Sequence, residues 1–392
     1  MRSNNKHGLG IRDWGFVLAV LYVVLGFSRA STAQKYTFDE VASGLKHKDA
    51  GTRLRAIQIL KDADYGEAAV PIAAAVADLD DRVQLAAIDA ERSLFTTRVV
   101  PRRKRIGLVV EVRTVAGGDA AATGQLALKA RNVPPELLSS LAVALRDNNP
   151  RVRAEAMNLA ALLAPFACAR ESEPCSQIGN ALIDNINLRE AVLRRAAMQA
   201  LGQLRYPNAV QALSDQFSYH QKGPDAMAAL EGLAGIGHPI SVSIFEGLLG
   251  DSNADARRFA VIGLARAGHR DALGKLQDLG QTERSDSVLL AMHYANVKLG
   301  DIDASLKQLV TGLDNPSQRS LVLGYLLDLS SAKAVAIAES LTDPSPDVRR
   351  LVADIVGFSR NPAVIPALEA ATKDSDPDVA AAAQQAIERL KL

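Results

Sequence analysis

An all-α stack of helical repeats is the fold class this sequence predicts, and three observations carry that prediction. The first is self-similarity. Asp343-Pro-Ser-Pro-Asp-Val-Arg-Arg350 opens an apolar helical stretch, and Asp374-Ser-Asp-Pro-Asp-Val379 opens another 31 residues later. Recurrence at that period is the signature of a solenoid. The second is spacing. Val348, Leu351, Val352 and Ile355 fall on one face of a helix, as do Ala196, Ala197, Ala200 and Leu201 in another stretch. The third is composition. The 392-residue chain is 48% hydrophobic but only 4% aromatic, and its many alanines suit closely stacked helices better than a bulky globular core.

The chain opens on an export signal. Arg2, Lys6 and Arg12 form a positive region, and Trp14 to Phe27 is an unbroken apolar or glycine run of 14 residues. Ser31-Thr32-Ala33 then supplies the small residues a signal peptidase reads, so residues 1–33 are expected to be cleaved after Ala33. The alternative is a retained membrane anchor, but the run is shorter than the ~20 residues a span requires. The expected location is therefore the periplasm or the exterior, with no stable membrane insertion after cleavage. Removing Arg2, Lys6, Arg12 and Arg29 against Asp13 turns the net charge of +1 slightly negative. That balance gives no electrostatic case for nucleic acid.

Residues 34–97 then hold the first repeats. Taking the first Asp of each turn as position zero, an apolar residue follows at +5 and often Arg at +6. Asp49 has Leu54 and Arg55, and Asp78 has Val83 with Gln84 in the Arg place. Residues 98–133 interrupt the rhythm. Ile106 to Val115 is β-branched, Gly117-Gly118-Asp119 makes a turn, and Gly124 to Arg131 follows, which predicts an inserted β-hairpin or long loop. The repeats resume over 134–392. Asp147 has Val152 and Arg153, Asp251 has Ala256 and Arg257, and Asp343 has Val348 and Arg349, while Asp374 has Val379 but Ala380. Weaker copies begin near Leu188, Gln221, Thr282 and Asp314, giving about ten units. Within each unit the second helix opens with Pro in its first turn (Pro150, Pro224, Pro346, Pro377), where the missing N–H costs little. Asp or Ser before that proline can cap the helix.

The Asp-Pro-x-Asp-Val-Arg pattern resembles HEAT repeats, and the short period is most similar to their phycobilisome-lyase-like subclass. The resemblance covers roughly residues 36–97 and 134–392. It implies a right-handed α-solenoid (a HEAT-like superhelix) of antiparallel helix pairs, with the second helices lining the concave side.

Candidate chemistry is sparse. The zero and +6 residues, Asp49 and Arg55, Asp147 and Arg153, Asp251 and Arg257, Asp343 and Arg349, read as a structural salt-bridge ladder, each Arg reaching its own Asp or that of the adjacent repeat. Arg195, Arg258 and Arg350 follow at +7 and point about 100° away along the helix, so they are candidates for a groove that takes an acidic peptide or carboxylate-rich ligand. Arg102, Arg103, Lys104 and Arg105 form the densest basic cluster and abut the insertion. Cys168 and Cys175 lie in an expected loop from Pro165 to Pro174, and export permits a structural disulfide between them. The histidines are scattered, with no metal-binding pair among them and no haem, nucleophile-elbow or phosphate-loop motif. No metal and no cofactor are expected. Gly232-Leu-Ala-Gly-Ile-Gly237 looks like a dinucleotide fingerprint, but no strand precedes it. The expected function is therefore a monomeric, non-enzymatic scaffold. It would bind a protein or peptide partner in its groove or through its insertion. The alternative is a lyase-like chromophore- or ligand-attachment factor.

Overall fold

The computed structural model describes residues 37–96, 124–168 and 172–391. These fold as paired helices. The first unit is α1 (Phe38–Gly44) with α2 (Ala50–Ala63), and the second is α3 (Ala69–Ala73) with α4 (Asp81–Phe95). Beyond the insertion come α5 (Pro135–Ala144) with α6 (Pro150–Ala167), and α7 (Glu173–Asn185) with α8 (Ala191–Leu204). Next are α9 (Val210–His220) with α10 (Pro224–Ile236), and α11 (Val242–Leu248) with α12 (Ala254–Arg266). Then follow α13 (Ala272–Thr282) with α14 (Asp286–Gly300), and α15 (Asp303–Thr311) with α16 (Arg319–Ala338). Non-helical torsions at Lys333 break α16, so its latter part serves as the first helix of the ninth unit, before α17 (Pro346–Gly357). The last pair is α18 (Ile365–Ala371) and α19 (Pro377–Leu390). The described residues thus form ten helix pairs. By length and apolarity the stretch Arg319–Thr342 matches a membrane span, yet half of it is buried inside the protein.

Several second helices, α4, α6, α12 and α19 among them, start by the same local device. The residue at +2 is the N-cap: Asp80, Asn149, Asn253 and Asp376 each accept a backbone N–H from the first turn. The zero residue forms an Asx turn onto that cap, as when Asp147 Oδ1 accepts from Asn149 N at 2.7 Å and Asp374 Oδ1 from Asp376 N at 2.9 Å. Such side chains satisfy donors that a helix start leaves orphaned. The apolar faces then stack. Successive second helices pack on one another, α8 on α10, α12 on α14 and α17 on α19, and one continuous core runs from Val41 to Ile387. One pair cannot bury its stripe alone, which makes stacking the source of stability.

The insertion returns to the stack through a short contact. Gly124–Ala127 is a single 3₁₀ turn, and Leu128 pairs with Thr96 in an isolated antiparallel bridge. Lys129 N donates to Phe95 O at 2.8 Å, and the Lys129 ammonium reaches Asp64 at 2.8 Å. The expected second arm, Gly124 to Arg131, is therefore not a strand, and no strand occurs among the described residues. The rest of the expected hairpin, the basic cluster Arg102 to Arg105, and the leader lie outside the described residues.

One further expectation is corrected. Pro165 does not open a loop, because α6 continues through it to Ala167. A proline in the last turn forfeits one hydrogen bond near a terminus where few remain to lose. The superhelix also closes on itself. The Phe166 ring, at the end of α6, lies 5.0 Å from that of Phe358 after α17, and Arg360 Nη2 donates to Phe166 O at 3.1 Å. Arg389 of α19 donates to Leu128 O at 2.9 Å across 261 residues. Arg205, after α8, pairs with Asp328 of α16. Apart from Leu128, at the end of the insertion, these contacts come from second helices or the residues that end them, so the second helices converge toward their C-terminal ends.

Candidate functional site

The ladder is built from Arg at +6, and its register corrects the sequence reading in the first unit. Arg53, not Arg55, fills the position there: its Nη1 donates to the carbonyls of His47 and Lys48 at 2.8 and 3.0 Å. Arg153 does the same to Asp147 and Asn148, Arg257 to Asp251 and Ser252, and Arg349 to Asp343 and Pro344. His47 is thus the zero residue, its Nδ1 accepting from Asp49 N at 3.1 Å, while Asp49 is the N-cap of α2. The rest of each guanidinium points forward to an acid of the next unit. Arg53 reaches Asp78 at 2.8 Å, Arg153 Glu190 at 3.5 Å, Arg257 Glu283 at 2.7 Å and Arg349 Asp374 at 2.7 Å. Each rung holds one unit's turn and the next unit's start together. The Arg257 guanidinium lowers the Glu283 carboxyl to about 2, and Arg349 lowers Asp374 to about 2. Nothing in this row has the geometry of a reaction.

One residue on, the direction changes as helix geometry demands. Arg195 of α8 and Arg258 of α12 come together on one groove of about 530 Å³ across the first turns of α8, α10 and α12. Val192, Met227 and Phe259 supply its apolar lining, and Val192 is 72% exposed. Arg195 lies 3.8 Å from Asp225, and Arg258 lies 3.1 Å from Asp255 and over the Phe259 ring at 4.2 Å. Arg350 occupies the corresponding turn of α17 and does not line this groove. The groove is open at the N-terminal ends of the second helices and combines two guanidinium groups with an apolar floor.

The opposite, C-terminal rim is closed by a charge cluster that no periodicity announced. Asp328, only 5% exposed, pairs with Arg205, with Arg266 at 3.5 Å and with Lys298 at 3.4 Å, and accepts from the Tyr294 hydroxyl. Burial pushes its carboxyl up, but Arg266, Arg205 and Lys298 together hold it well below the usual range. The fingerprint-like glycines have a packing role nearby. A Cβ at Gly235 would lie 2.6 Å from Gly202 Cα, and one at Gly202 would lie 2.8 Å from Gly232 Cα, so α8 and α10 meet backbone to backbone. Cys168 and Cys175 form a disulfide that joins the end of α6 to α7. Among the described residues no cluster of His, Cys, Asp or Glu has the arrangement of a metal site.

Paired helices, stacked second helices and the turn-to-helix ladder define an α-solenoid of helical repeats. Residues 302–388 match the HEAT repeats family, and residues 193–216 match the PBS lyase HEAT-like repeat. Similar solved structures include an engineered protein (15% identity, 91% of this chain and 100% of that chain, TM-score 0.42). They also include the complex of CpcE and CpcF of phycocyanin lyase from Nostoc sp. PCC7120 (19% identity, 72% and 99%, TM-score 0.40). Importin beta is similar over 90% of this chain and 52% of its own (12% identity, TM-score 0.40). No curated protein matches the sequence.

Proposed function

We propose that this chain is an exported scaffold that holds an acidic peptide segment of a partner protein in the groove across α8, α10 and α12. The observation that carries the reading is the pairing of Arg195 and Arg258 over an apolar floor of Val192, Met227 and Phe259. Guanidinium groups bind carboxylates by charge-assisted, often bidentate hydrogen bonds, and the exposed Val192 beside the half-buried Met227 selects flanking side chains. The ladder arginines are committed to neighbouring units, whereas Arg195 and Arg258 pair with acids at the groove itself, Asp225 at 3.8 Å and Asp255 at 3.1 Å, which a ligand carboxylate would displace. Export follows from the leader, and mass spectrometry of the purified chain should find an N-terminus at Gln34.

The test is fluorescence anisotropy with a labelled peptide of alternating Glu and Leu, against a Lys and Leu control. The acidic peptide should bind, more weakly at high salt, and Arg195→Glu/Arg258→Glu should abolish binding. Arg350→Glu should leave binding unchanged, because Arg350 lies outside the groove. Equal binding by the double variant would sink the proposal. A second reading, attachment of a chromophore or other ligand, rests on the match of residues 193–216 to the PBS lyase HEAT-like repeat, which overlaps the groove. Visible absorbance of the chain purified from its native envelope would favour it.

A further inference from the structure

We infer that the Cys168–Cys175 disulfide is a redox latch on the closure of the superhelix. The corner it occupies joins parts of the chain that are far apart in sequence. Phe166 packs at a tilt against Phe358 at 5.0 Å, and the Phe166 carbonyl accepts from Arg360 at 3.1 Å. That carbonyl belongs to the last turn of α6, where no intrahelical partner exists, so Arg360 caps a helix from 194 residues away. Arg389 then covers the Phe358 ring at 4.5 Å and reaches Leu128 O at 2.9 Å. The third, ninth and tenth units and the end of the insertion therefore meet here.

The turn that presents Phe166 is intrinsically weak. Pro165 lies within it and cannot donate to the helix ladder. Its end is closed by the bond from Cys168 N to Ala164 O at 2.7 Å and by the covalent tie to Cys175 at the start of α7. Cys175 is buried and its Sγ accepts from the Ser172 hydroxyl at 3.1 Å, whereas Cys168 is half-buried. An attacking thiolate therefore reaches the Cys168 sulfur first. With a dithiol reductant the S–S bond takes up two electrons and two protons to give two thiols, and the reductant closes into its own cyclic disulfide. The freed last turn frays, Phe166 leaves Phe358, and the ends of the superhelix part while the helix pairs stay folded.

The experiment compares the full chain oxidised, reduced with dithiothreitol until both thiols titrate, and reoxidised, by small-angle X-ray scattering and far-ultraviolet circular dichroism. Reduction should raise the radius of gyration with no loss of helical signal, and reoxidation should reverse the change. Cys168→Ser/Cys175→Ser should be open under both conditions. Phe358→Ala/Arg360→Ala should be open even when oxidised, since it removes the other half of the contact. An unchanged radius with both thiols free would overturn the latch. So would a loss of helical signal on reduction, which would make the disulfide a staple for folding alone.

Discussion

Glu91 is the residue whose chemistry departs furthest from its surroundings. It is fully buried in α4, neither carboxylate oxygen has a hydrogen-bond partner, and burial pushes its carboxyl well above the ordinary value. The native state therefore holds a proton that the unfolded chain releases near pH 4.3, and stability falls as pH rises through that window. Glu91→Met should stabilise the protein at neutral pH by about 1–3 kcal/mol, the cost of an unsatisfied buried group, and the gain should shrink toward pH 4. Thermal melts across that range check it, and a destabilised variant at pH 7 would refute it. Glu283 has the opposite sign. Two hydrogen bonds from Arg257 and the backbone N–H groups of Ser285 and Arg284 lower it to about 2. Its contribution is complete above the unfolded value near 4.3 and is lost as pH falls toward 2. Glu283→Gln should lower neutral stability and flatten that acid limb in urea titrations, whereas an unchanged limb would mean the rung contributes nothing. The ladder was legible in sequence as a pattern but misplaced by two residues in the first unit. Asp49 has the expected residue type, yet it caps the helix while His47 takes the turn position through its ring nitrogen. A search for Asp cannot see a histidine doing that work.

Among the elements, the legible part is the helix pair and the unread part is how helices end. Left-handed residues that close helices are usually glycine. Here Gly237 and Gly268 do so, but Asp64, Arg205, Asp301 and Arg360 adopt positive φ as well. Each uses its side chain on a distant segment: Asp64 on Lys129, Arg205 on Asp328, Asp301 on Lys333 and Arg360 on Phe166. Backbone strain of about 1–2 kcal/mol per residue is accepted where the side chain joins units, and no local propensity encodes that trade. The glycines inside helices answer to packing. Gly235→Val should force α8 and α10 apart against the Gly202 backbone and cost about 1–3 kcal/mol. Gly274→Ala, where an added Cβ meets nothing within 4 Å, should instead stabilise α13 by about 0.5–1 kcal/mol. Urea midpoints for the two variants should move in opposite directions, and a shift of the same sign in both would refute the close-approach account.

For the whole molecule, periodicity predicts that each unit touches only its neighbours, and that holds for the ladder but not for the rim. The closing contacts link residues 123 to 261 positions apart, a separation at which one sequence carries no pattern to read. The same closure buries the chain's last helix at its end: Arg389 in the last turn of α19 packs against Phe358, with its side chain 5% exposed. Asp328 is where this architecture is most exposed to a single change. Asp328→Ala would leave Arg205, Arg266 and Lys298 converging without a counter-charge in a site largely shielded from solvent. Breaking a buried pair from one side costs about 3–5 kcal/mol; Arg205 and Lys298 are 47% and 31% exposed and solvent screens them, so that cost falls mainly on Arg266. Repulsion among the three cations sets Arg205 of the fourth unit against Arg266 of the sixth and Lys298 of the seventh, so the expected result is a lowered melting temperature together with a larger radius of gyration. Leu326→Ala, a buried position on the same helix, should lower stability through its cavity without opening the superhelix. If both variants melt early but scatter alike, Asp328 is an ordinary core residue. If only Asp328→Ala expands, the charge cluster holds the ring closed.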